Sequence, residues 1–74
     1  MTKKDYQAIA IVLGNKLAEV SKWKNIEAQS LSLAYIEDFM RMLAEDNAKF
    51  DRGIFIAYIQ NVAERNGYKG ELLF

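Results

Sequence analysis

The run Ser30–Leu43, SLSLAYIEDFMRML, is the longest apolar-rich stretch of the chain and lies at its middle. Wound into a helix at about 100° per residue, it places Leu43, Ile36 and Met40 to one side of Phe39, and Tyr35, Met42 and Leu31 to the other. The apolar arc covers about 200°, twice the ~100° stripe of a helix that buries one face. Such a helix needs cover from two directions. The flanking segments can supply one or both covers, and a second copy of the chain can supply one.

The remaining sequence narrows what those covers can be. A chain of 74 residues makes one domain, residues 1–74, whose core is marginal unless it is stapled or oligomeric. There is no Cys to form a staple and no His to shuttle protons or bind metal. Apolar residues make up 51%, too many for a disordered chain, and with no Pro and four Gly little interrupts helix. The formal net charge is zero, which weighs against a dedicated binder of nucleic acid or anionic membrane. The charges are nevertheless segregated. Lys3, Lys4, Lys16, Lys22 and Lys24 outnumber Asp5 and Glu19, so residues 1–25 carry +3. Glu27, Glu37, Asp38, Glu45, Asp46 and Asp51 outnumber Arg41 and Lys49, so residues 26–51 carry −4. The layout reads as two solvated faces of unequal charge, or as complementary surfaces for antiparallel packing within the chain or between copies. Ala8–Leu13 is too short an apolar run for a spanning helix, and no signal peptide is visible; a cytoplasmic protein is expected.

Local signals predict three helices, about 3–21, 27–46 and 52–66. Thr2 and Asp5 have the spacing of a capping box. The first helix then shows a stripe of Tyr6, Ile9, Leu13, Leu17 and Val20, with Ile11 opposite. Gly14, mid-helix, is either a tolerated defect or a point where another helix comes close. Ser21–Asn25 forms the first break. Its Trp23 reads as a lid over the bundle end, or as an exposed aromatic anchor between Lys22 and Lys24. Asn25 or Ser30 can cap the second helix, in which Met40 and Met42 suit either core or an adaptable binding surface. Asp51 is a strong cap for the third helix, and Phe50 with Phe55 has the spacing of a hydrophobic staple. Phe55, Ile59 and Val62 form the third stripe; Ile54 points away from it, toward a partner or the tail. Asn66-Gly67 is a left-handed stop. The tail ends in Leu72, Leu73 and Phe74, which either dock on the bundle or contact another molecule.

Chemistry is sparse. Glu37, Arg41 and Glu45 at four-residue spacing read as a solvated helix face, not a carboxylate site. No EF-hand spacing and no Gly-rich phosphate loop are present. Without Cys or His, nucleophilic catalysis would need an unusually activated Ser or Lys, so no enzymatic activity and no metal or other cofactor are expected. A helix-turn-helix reading would present Gly-Ile-Phe-Ile to the bases, a poor reading head.

The opening Thr2-Lys3-Lys4-Asp5-Tyr6 and the segment Asp46-Asn47-Ala48-Lys49-Phe50-Asp51-Arg52, followed by Phe55, resemble small orphan accessory proteins of tailed bacteriophages and prophages. The match covers about a third of the chain and consists of cap and staple motifs. It implies a shared architecture and a setting, the cytoplasm of an infected bacterium, where such proteins bind and modulate host or phage macromolecules.

The expected fold is an all-α, compact three-helix bundle with a short apolar C-terminal tail. The expected function is non-enzymatic protein–protein interaction, by self-association or by binding a host protein. Its candidate surface comprises Trp23, Ile11, Met40, Met42, Ile54, Leu72, Leu73 and Phe74. A nucleic-acid-associated accessory protein using Lys16, Lys22, Trp23 and Lys24 is one alternative, and a small-ligand sponge at an oligomer interface is another.

Overall fold

Each helix begins where a side chain can accept from an otherwise orphaned backbone amide. In the computed structural model, which describes residues 2–72, α1 spans Lys3–Ser21, α2 spans Ile26–Asp46 and α3 spans Arg52–Arg65. At the head of α1 the Asp5 amide donates to Thr2 Oγ1 at 3.4 Å, and the Thr2 amide donates to Asp5 Oδ2 at 2.8 Å, completing the capping box. Those bonds, led by the Thr2 backbone amide, hold the Asp5 carboxyl below its ordinary 3.8. Asn25, not Ser30, caps α2 by accepting from the Ala28 amide at 3.1 Å. Asp51 Oδ1 accepts from the Ile54 amide at 3.1 Å and caps α3.

The ends are equally local. Gly67, at φ +96°, lets the Tyr68 amide reach the Ala63 carbonyl at 2.9 Å and the Gly67 amide reach Glu64 at 3.0 Å, the paired bonds of a Schellman stop. Between α1 and α2 the chain reverses without glycine. Lys24 takes the left-handed conformation at φ 55°, a cost of about 1 kcal/mol or more for an L-residue.

Two hydrogen bonds and one close approach set the topology. Asn47 Nδ2 donates to Tyr6 Oη at 3.0 Å, so the end of α2 lies beside the start of α1 and the two helices run antiparallel. Asn66 Nδ2 donates to Asn15 Oδ1 at 3.0 Å, which places the end of α3 beside the middle of α1. Tyr6 packs on Phe50 with ring centroids 5.4 Å apart, and Phe50 meets Phe55 edge-on at 5.3 Å, so the staple ties the start of α3 to the start of α1. The bundle therefore runs up, down, up.

The core is Leu17, Ile36, Met40, Leu43, Phe55, Ile59 and Ala63, joined by Ala10, Ala18, Tyr68 and Leu72. On α1 the buried face differs from the expected one. Leu17 and Val20 are buried, but Tyr6, Ile9 and Leu13 are only half-buried, and the deepest positions include Ala10, Gly14 and Ala18. These small residues recur every four positions and let α3 come close. A Cβ on Gly14 would lie 2.8 Å from both Cβ and Cγ1 of Val62 and 3.0 Å from the Ile59 carbonyl oxygen. Gly14 is thus a site of close helix approach rather than a tolerated defect.

The tail docks as far as it is described. Leu72 is buried, its amide donates to Gln60 Oε1 at 2.8 Å, and Gln60 Nε2 donates to the Gly70 carbonyl at 2.9 Å. Gln60 clamps the tail as a strand would, using one side-chain amide as both donor and acceptor. Leu73 and Phe74 lie outside the described residues.

Candidate interaction surface

The wide apolar arc of α2 divides at Phe39. On one side Ile36, Met40 and Leu43 are fully buried and Leu33 is half-buried. On the other side Leu31 and Tyr35 are each 56% exposed and Met42 is 48% exposed, with half-buried Phe39 at the boundary. The flanking helices and tail supply one of the two covers this helix needs. Among the described residues nothing supplies the second.

The uncovered half is a real surface feature. Tyr35, Asp38, Phe39 and Met42 line a shallow groove of about 140 Å³, mostly apolar. Helix geometry puts Asp38, Glu27 and Glu45 along one edge of the stripe, with Asp46 extending it at the C-terminal end. Arg41 Nη1 bonds Asp38 Oδ1 at 3.3 Å instead of bridging Glu37 and Glu45 as their spacing suggests. The pair is exposed, so it contributes little to stability and leaves the stripe bordered by negative charge.

The expected surface residues fall into three groups. Met42, Trp23, Ile11 and Ile54 are exposed. Met40 is fully buried and is core, not surface; its place two residues before Met42 turns it about 200° away on the helix. Leu72 is likewise buried, because the Gln60 clamp carries it onto the bundle. The remaining two, Leu73 and Phe74, fall beyond residue 72.

The exposed four do not form one patch. Trp23 is 60% exposed and does not act as a lid over the bundle end; with Ile26 it forms an apolar corner at the α1–α2 turn, flanked by Lys24. Ile54 borders a small apolar pocket of about 60 Å³ with Tyr6, Ala10, Phe55 and Tyr58, where the starts of α1 and α3 meet. Through Leu72 the tail runs along Gln60 and not over Ile54.

Four exposed apolar residues escaped the sequence-based selection: Leu31, Tyr35, Val12 and, at the first turn of α2, Ile26, the most exposed of all at 82%. Leu31 and Tyr35 were legible as the second half of the 200° arc. Val12 was not, because it flanks a stripe whose true centre is rotated toward Gly14.

Among the described residues there is no grouping of His, Cys, Asp or Glu suited to a metal ion, and no helix long and apolar enough to cross a membrane. No family model, curated protein or solved structure matches this chain.

Proposed function

We propose that this chain is a non-enzymatic accessory protein that works by protein–protein contact through the uncovered half of α2. The observation that carries this reading is the division at Phe39, which leaves Leu31, Tyr35 and Met42 in water on a helix built to be covered twice. Three large apolar side chains on one face, spaced over about three turns with Phe39 between the last two, form a helix-face contact surface, and Met42 adds an adaptable element to it. The phage-like opening and the Asp46–Phe55 segment support a setting in the cytoplasm of an infected bacterium. There the partner is a second copy of the chain or a host protein.

The test is site-specific photo-crosslinking in the source cell. A photo-reactive phenylalanine replaces Tyr35, and in a control chain it replaces Glu37, which lies toward the opposite side of α2 and is also exposed. A discrete cross-linked species from position 35 and none from position 37 is the expected result. Equal labelling from the two positions, or none from either, overturns the reading.

A further inference from the structure

Resting on that reading, we infer that the occupant of the α2 stripe is an amphipathic helix of another protein, one that carries basic residues beside its apolar seam.

Spacing selects a helix. The exposed residues Leu31, Tyr35, Asp38, Met42 and Glu45 follow one another at intervals of four, three, four and three. That alternation is the seam one α-helix presents to another lying nearly along it. It extends over about 21 Å, enough to seat about four turns of a partner. Tyr35, Asp38 and Met42 line the shallow groove together with half-buried Phe39. An extended segment has less to gain here, because a helix face offers it no free backbone edge to pair with.

Charge selects the chemistry of that helix. Two of the five seam positions are carboxylates, where a seam closed by apolar packing alone would carry leucine or isoleucine. Along its whole length α2 has Glu27, Glu37, Asp38, Glu45 and Asp46 against a single cation, Arg41. Arg41 engages Asp38 only through Oδ1, and a carboxylate can accept at both oxygens. Asp5 adds to the same field. It lies seven residues before exposed Val12 on one edge of α1, and the Tyr6–Asn47 bond puts it level with Glu45 and Asp46. The lysines of the first segment do not offset these charges. Lys3 borders the pocket beside Ile54 and Phe55, Lys22 lies against Gly67, and Lys4 stands five turns before Lys22 on the same line of the helix. Lys16 is bonded to Glu19 at 3.1 Å, and Lys24 sits beside Glu27 at the far end. The zero net charge of the chain thus conceals an acidic seam.

The same charges set other occupants aside. An anionic membrane or a nucleic acid would be repelled from this face. A second copy presenting its own seam would set carboxylate against carboxylate at Asp38. A basic amphipathic helix meets both demands at once. The methylene stems of Lys and Arg cover Leu31, Tyr35 and Met42, while their charged ends reach Asp38 and Glu45.

The experiment uses two labelled helical peptides of about four turns, with leucines at the same four-three spacing, flanked by Lys in one and by Glu in the other. Each is titrated with the full chain and read by fluorescence anisotropy. The Lys peptide should bind about tenfold tighter or more at low salt, and the margin should shrink at high salt. Tyr35→Ser with Met42→Ser should abolish its binding, with unchanged helical circular dichroism. Asp38→Asn with Glu45→Gln should weaken it about fivefold, whereas Glu37→Gln, a charge loss on the far side of α2, should leave it unchanged. Equal affinity for the two peptides overturns the inference, as does a Lys peptide indifferent to either double substitution. The cross-link from position 35 separates this inference from the reading beneath it. A captured segment without basic residues, or a second copy of the chain, overturns the inference and leaves the interaction reading standing. No cross-link removes both.

Discussion

The seam between α1 and α3 and the outer half of α2 are opposite solutions to placing a helix surface. Along the seam the contact residues are small: Ala10, Gly14 and Ala18 bring Val62 to where no Cβ would fit. The outer half of α2 has large side chains, Leu31, Tyr35 and Met42, which the described residues leave about half exposed. Small residues with no partner would expose little apolar area and have no cost to offset. Large residues with no partner leave apolar surface in water, at about 25 cal/mol per Å². The contrast teaches that the bulky, uncovered face is the one whose sequence the fold itself does not explain.

The sharpest way to break this comparison uses two methionines two residues apart. Met40→Ala should lower stability by about 3 kcal/mol, since it empties a fully buried site, while Met42→Ala should cost less than about 1 kcal/mol in the monomer. Denaturant unfolding at low protein concentration checks both. Equal losses would show that Met42 is packed within the chain. Next in size is Gly14→Ala. Ala gains about 1 kcal/mol of helix propensity, but its Cβ would overlap Val62 and crowd the Ile59 carbonyl. Separating two packed helices costs about 1–3 kcal/mol, so the net result should be a loss of about 1 kcal/mol. A gain in the thermal midpoint would mean that the seam is looser than described.

The smallest effect belongs to Asp5. Its carboxyl is held below the ordinary value by the Thr2 amide, so its contribution is fully present above pH 3.8 and is lost as the pH falls through the lowered folded value. Asp5→Asn should therefore lower the thermal midpoint slightly at neutral pH, and the gap from the unsubstituted chain should close in strong acid. A gap that stays constant with pH would remove the carboxylate from the cap.

How much was legible from residues alone follows from the range of each interaction. The helix limits were within a residue or so of the observed ones, because capping by Thr2, Asp51 and Gly67 acts over three or four residues. Asn25 rather than Ser30 was a choice between two good caps, and the left-handed Lys24 had no local signature. Met40 and Met42 differ in nothing local, and only the position of the other helices makes one core and the other surface. The same holds for Leu72, whose burial depends on Gln60 twelve residues away.

The sequence by itself determined three capped helices, the staple of Phe50 on Phe55, and an apolar arc on α2 too wide for a single cover. Those features arise from backbone hydrogen bonding and from the 3.6-residue period, both of which are local. The tertiary structure alone decided that α1 turns Gly14 rather than Leu13 toward its closest neighbour, and that Leu31, Tyr35 and Met42 form the half of the arc left open. Helix orientation about its own axis is settled by how volumes fit together, and that fit depends on residues distant in the chain.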